Sequence, residues 1–136
     1  MGLFSNFDIS GSAISAQSIR LNTTASNLAN TETLASSAKE AYRSRHPVFQ
    51  AMMDDRSRPE KVGVRMLGII QSQSEAKPLY DPGHKLANEE GYVFGSNVNA
   101  VEEMANMISA SRAYQNNVEV LSTTRDLLLR ALSLGS

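Results

Sequence analysis

A chain of 136 residues, 41% hydrophobic and 20% charged, is the size of one domain, and no stretch of it approaches the ~18 apolar residues that a bilayer span needs. Thirteen basic against fourteen acidic side chains leave a net charge of -1, which excludes bulk attraction to nucleic acid or to an anionic membrane. The absence of cysteine removes disulfides, thiolate nucleophiles and cysteine-based zinc sites together.

The opening MGLFSNFDIS has neither a basic leader nor a continuous apolar run, so a secretory signal is not expected. Met1-Gly2 is followed by Asn6 where a myristoylation motif needs Ser or Thr. Residues 8 to about 35 then read as a long helix, with Asp8 or Ser10 as N-cap. Phe7, Ile14, Leu21 and Leu28 recur every seven residues, and the small Gly11, Ser18 and Ala25 follow four places after the first three. That spacing predicts a narrow apolar seam that admits a second helix closely. The fill of the last turns, NTTASNLANTET over 22–33, is unusual, because short polar side chains compete for backbone hydrogen bonds and weaken a helix. Asn22-Thr23-Thr24 within it is formally a glycosylation sequon, expected to be unused without a secretory signal.

Residues 36–96 change character and hold all four prolines. His46-Pro47-Val48-Phe49 reads as extended chain, since the residue before proline is pushed out of the helical region. Asp54 to Pro59 has no aliphatic or aromatic side chain and is expected to be a mobile loop. Val62, Val64 and Met66 alternate with Gly63, Arg65 and Leu67, and Ile69 and Ile70 follow, which predicts a strand with a bulge at Gly68. Asp81-Pro82-Gly83 is a turn, and Gly91 to Gly95 a short extended piece.

The last segment mirrors the first. Met107, Tyr114, Leu121 and Leu128 recur every seven residues, and Met104, Val118 and Leu132 are expected on the same side. Asn97 or Asn99 caps the start, Glu102 and Glu103 complement the macrodipole in the first turns, and Gly135 stops the helix. The predicted architecture is α+β, mainly α. A helix within 1–35 and a helix within 97–136 pair as a coiled coil, each about 40 to 50 Å long, with a small β-rich insert at 36–96 between their far ends.

Little in the chain carries chemistry. His84 lies near Asp81, Glu89 and Glu90, a set that can bind a metal or move protons, but the spacing matches no metal motif and an exposed turn is the plainer reading. There is no nucleophile elbow, no glycine-rich phosphate loop, and the cations from Lys39 to Arg65 are interleaved with carboxylates. No enzyme, cofactor or metal is expected.

Two stretches resemble a known family. SNLANTET (26–33) resembles the N-terminal motif of bacterial flagellar axial proteins. DPGHKLANEEGYVFGSNVNAVEEMANMISASRAYQNNVEVL (81–121) is similar to the C-terminal half of the flagellar basal-body rod family, and its DPGH turn with GYV, NVN and EEM points to the proximal-rod branch. Lys85, Ser96 and Asn116 depart from the family pattern, which more often has Pro, Pro and Ala there. By matching, Asn27, Asn30, Gly91, Tyr92, Asn97, Asn99, Glu103, Arg112, Tyr114 and Asn117 fall on motif positions. Together with the seam residues Leu21, Leu28, Met107, Leu121 and Leu128 they are the candidate subunit-interface positions.

The resemblance implies a structural subunit of the rod, the periplasm-spanning drive shaft that transmits torque for motility. It implies helical assembly with further copies and with other rod proteins, between the inner-membrane ring and the distal rod. It also implies export by the flagellar type III apparatus without a cleaved signal, and neither nucleic-acid binding nor membrane insertion. Asn27 and Asn30 are then expected to be available to neighbouring subunits. Two other readings stay open on the residues alone: a stand-alone helical adaptor or chaperone-like module using the same seams, and a small hydrolase built on Asp81, His84 and the glutamates that follow, Glu89 and Glu90.

Overall fold

The structure is a computed structural model and describes residues 3–53 and 62–135. Helix α1 spans Leu3–Ala29 and helix α2 Ala100–Leu134. Between them lie β1 (Leu34–Ala35), β2 (Arg45–Met53), β3 (Val62–Gln71), β4 (Lys77–Tyr80) and β5 (Tyr92–Gly95). Strands β2 and β3 form an antiparallel hairpin, and β1, β5 and β4 form an antiparallel sheet in that order. The expected mobile loop at 54–59 lies outside the described residues.

Helix α1 begins before the expected Asp8 or Ser10 cap, so both are interior residues, and it ends at Ala29 rather than near 35. The polar fill ends it. Asn30 Nδ2 donates to the Ser26 carbonyl, Thr31 Oγ1 to that of Asn27 and Thr33 Oγ1 to that of Asn30. These side chains satisfy carbonyls that the next turn of helix would otherwise have used. The chain then turns, and Leu34–Ala35 pairs with Phe94–Gly95. Helix α2 starts where Asn99 accepts from the Val101 and Glu102 amides, and Gly135 follows its end.

The helices run antiparallel. Arg20 on α1 donates to Asn106 near the start of α2, yet burial on α2 continues as far as Thr124. Five turns of α2 can stay covered only by running back along α1. At ~1.5 Å per residue α1 is about 40 Å long and α2 about 52 Å.

The insert is not confined to the far ends of the helices, because the β2–β3 hairpin folds back against α1. Asn27 holds Arg45 at the start of β2, and Ser12 Oγ accepts from the Val64 amide of β3. From Ser12 to Asn27 the helix rises about 22 Å. From Arg45 to Ala51, the residue opposite Val64, β2 rises about 20 Å. The matched lengths let the hairpin lie obliquely along α1. The expected bulge is present one residue earlier: Val48 pairs with Gly68 and Phe49 with Met66, leaving Leu67 as the extra residue.

The core is small. The buried apolar residues are Ala16, Ala41, Ala76, Val93, Val98 and Ala110. Alanine contributes little by burial, at roughly 0.8 kcal/mol per CH2. Among the described residues nine polar ones are buried beside them, including Ser10, Thr23, Thr24, Asn27 and Glu103, so this interior depends heavily on hydrogen bonds.

Candidate assembly interface

Asn27 is 1% exposed and makes three side-chain hydrogen bonds. Its Nδ2 donates to the Arg45 carbonyl (2.8 Å), and its Oδ1 accepts from the Arg45 amide (2.9 Å) and the Tyr42 hydroxyl (3.0 Å). A side-chain amide carries the same donor and acceptor as a peptide unit, so Asn27 completes the free edge of β2 as a neighbouring strand would. Ser26 Oγ shares the Tyr42 hydroxyl at 3.2 Å. The expectation that Asn27 is available to neighbours is therefore corrected: every polar atom of its side chain is spent inside the chain. Asn30, half-buried, donates through Nδ2 to the Ser26 carbonyl of its own helix.

Asn97 does not cap α2. Its Oδ1 accepts from the Ser44 amide (2.7 Å), its Nδ2 donates to the Ser74 carbonyl (2.9 Å), and its own amide reaches the Tyr42 carbonyl. It joins the segment before β2, the approach to β4 and the start of α2. Asn99 takes the capping role.

Gly91 has φ +83°, a left-handed conformation that costs an L-residue roughly 1–2 kcal/mol. A Cβ there would also stand 3.0 Å from the Tyr80 ring. That ring packs edge-to-face on Tyr92 at 5.2 Å, and the Tyr92 amide donates to Asn88 Oδ1. The Gly-Tyr pair of the motif thus shapes the β4–β5 turn. Asp81-Pro82-Gly83 is the expected turn, with the His84 amide donating to the Asp81 carbonyl and His84 Nδ1 accepting from Leu86. Among the described residues no group of histidines and carboxylates is arranged to hold a metal.

The faces of the two helices divide the other candidate residues. Leu21 and Leu28 on α1, and Met107, Tyr114, Leu121 and Leu128 on α2, are half-buried. Between the large residues of α2 lie Glu103, Ala110, Asn117 and Thr124, also seven apart, of which all but the half-buried Asn117 are fully buried. Large side chains flank the contact while small and polar ones sit at its centre. Asn117 Nδ2 and Thr124 Oγ1 donate to carbonyls of their own helix, which makes them acceptable there. Glu103 lines a cleft of about 280 Å3 with Gln17, Arg20, Thr24 and Arg45, and Gln17 Oε1 there is buried without a partner.

Several expectations about the seams fail. Gly11 and Ala25 are exposed, and Ser10 and Thr24, three places after Phe7 and Leu21, face inward instead. Met104, Val118 and Leu132 are 55%, 42% and 64% exposed, because they fall about a seventh of a turn from the Met107 line, on the side away from the buried Glu103, Ala110 and Thr124. With Val101, Ile108 and Leu129 they form an apolar outer face on α2, where Arg112 lines an open groove beside Ile108. Among the described elements α2 packs only on α1, and α1 does not reach this face. Val101, Ile108 and Leu129 were not singled out by the sequence reading. Their signal, intervals of seven and twenty-one residues, is interrupted by Gln115 and Ser122.

Comparison with known proteins matches both ends of the chain. Residues 7–33 match the family model of flagella basal body rod proteins, and residues 89–134 that of the C-terminal region of flagellar basal body rod FlgEFG proteins. The chain is 45% identical over 135 residues to the flagellar basal-body rod protein FlgC of Salmonella typhimurium, and 46% identical over 135 residues to that of Yersinia enterocolitica. A FlgC of Buchnera aphidicola is 36% identical over 137 residues. Each alignment covers 99% of this chain and 99% of the relative.

Proposed function

The chain belongs to the flagellar basal-body rod protein family, of the FlgC kind, and from that premise we propose that it builds the proximal part of the rod by packing the outer face of α2 against neighbouring subunits. It is a structural subunit, not an enzyme. The observation that carries the mode of assembly is that outer face. Ile108, Leu129 and Leu132 are each more than half exposed on a helix that, among the described elements, packs on α1 alone.

In this reading the Met107–Leu128 line and the Leu21–Leu28 line pair α2 with α1 as a short antiparallel coiled coil. The outer face then meets a different surface of the next subunit. A contact between unlike patches that does not close into a ring propagates as a helix, and a helical array of stiff α-helices is suited to carry torque. The last turns of α2 overhang α1, and Leu134 is 87% exposed, so they too await a neighbour. The partners are other rod proteins and further copies of this chain, with the inner-membrane ring on one side and the distal rod on the other. The type III export apparatus delivers the chain without a cleaved signal.

A density map of the assembled basal body tests this reading. We expect α2 to be enclosed by helices of other subunits, with Ile108 and Leu129 in contact. A subunit seated outside the rod, or one whose α2 outer face meets only solvent, contradicts it.

A further inference from the structure

We propose that successive copies of this chain also join head to tail through their inserts, with the acidic β4–β5 turn of one copy seated in a basic cleft beside Arg45 of the next. This rests on reading the chain as a self-assembling subunit. It adds a second contact, distant from α2.

The cleft has a volume of about 430 Å3 and is lined by Lys39, Glu40, Tyr42, Arg43 and Arg45. Three cations face one carboxylate there, and Glu40 already accepts a hydrogen bond from Ser36 at 2.8 Å. Arg45 is pre-positioned. Its backbone is pinned on both sides by Asn27, its guanidinium stands 5.6 Å over the Tyr42 ring, and the Tyr42 hydroxyl is tied to Asn27. A cation held this way loses little freedom when a carboxylate arrives.

The complement is on the same molecule but out of its own reach. The β4–β5 turn carries Asp81, Glu89 and Glu90, all exposed, against one cation, Lys85. Asn97 ties Ser44 to Ser74, which sets the basic segment at the end of the sheet where β4 begins and β5 finishes. The turn closes the opposite end, four strand residues or about 13 Å away. Among the described residues the only ion pair is Arg125–Asp126 on α2, so neither pole is neutralised within the chain. Opposite charges at opposite ends of one small sheet favour a head-to-tail contact between copies, which is the heterologous geometry that a helix requires.

The lack of native cysteine allows a direct test on the full-length protein. Two single-cysteine chains, Ala38→Cys beside the cleft and Leu86→Cys in the turn, are mixed under mild oxidation. We expect the mixed disulfide dimer to exceed both same-site dimers by about fivefold at low salt. Raising salt from about 0.05 to 0.5 M should remove most of the excess, because screening shortens to a few ångströms. Adding Arg43→Glu or Lys39→Glu to the first chain should remove it as well, and Glu89→Arg in the second chain should restore it. A mixed yield equal to the same-site yields, or one insensitive to both salt and charge reversal, overturns the proposal while leaving the rod assignment intact.

Discussion

The two helices share a seven-residue seam but differ in what surrounds it. Helix α1 is held by α2 along one side and by the β2–β3 hairpin along another, and buries Ser5, Ser10, Ala16, Thr23, Thr24 and Asn27. Helix α2, eight residues longer, buries only Glu103, Ala110 and Thr124. In the Asn- and Thr-rich turns of α1, Thr23, Thr24 and Asn27 are therefore turned inward rather than kept for neighbours. These turns end the helix, and through Asn27 they hold the insert in place. The surface we propose for neighbours lies on α2, where it is apolar. Similar patterning on two helices has led to an inner element and an outer one, and the difference lies in where the insert packs.

Substitutions can break this comparison in graded ways. The largest effect is expected at the shared seam. Leu28→Asp or Leu121→Asp places a carboxylate at a half-buried position of the proposed α1–α2 seam, where desolvating an unpaired charge is unfavourable. Swimming in soft agar should be abolished by either, and normal spreading would remove the seam from the account. Next comes Asn27→Ala, which strands the Arg45 amide and carbonyl and frees Tyr42. A loss of about 2 to 4 kcal/mol is expected from three hydrogen bonds and two unsatisfied backbone groups, read as a fall in thermal unfolding midpoint. The matching change on α2, Asn117→Ala, removes one bond to its own helix and should cost under about 1 kcal/mol. Equal effects at the two positions would erase the inner–outer distinction.

Smaller again is Gly91→Ala, expected to cost about 1 to 2 kcal/mol from the left-handed backbone alone, with the Tyr80 ring displaced. Loss of the near-ultraviolet signal of the Tyr80–Tyr92 pair would report that displacement. Asn99→Ala should cost about 1 kcal/mol through the lost cap. It should fray the start of α2 without disturbing α1, and amide hydrogen exchange over 100–104 against 20–29 separates the two.

Legibility in the sequence followed the range of the interactions. Helix α2 was readable to within two residues, because its cap, its acidic first turn, its heptads and its terminal Gly135 all agree. Strand β3 was readable from Val62, Val64 and Met66, and the turn at 81–83 from Asp-Pro-Gly. Strand β1, two residues long, exists only because β5 is there to pair with it, and no local pattern marks Leu34–Ala35. The role of Asn27 was hidden for the same reason. Its partner Arg45 is eighteen residues away, and an asparagine in a helix looks the same whether it bonds a hairpin or a neighbouring molecule. The outer face of α2 was misread because Met104, Val118 and Leu132 were assigned to the Met107 line, and about a seventh of a turn separates a half-buried residue from an exposed one.

The claim that the outer face of α2 is the assembly surface is tested most directly by the double variant Ile108→Asp with Leu129→Asp, followed for incorporation into purified basal bodies. Both side chains are more than half exposed, so the free chain should unfold within about 0.5 kcal/mol of the parent. The account predicts rods that lack the variant subunit and cells that do not swim. Variant subunits built into complete rods at the parental level would contradict it.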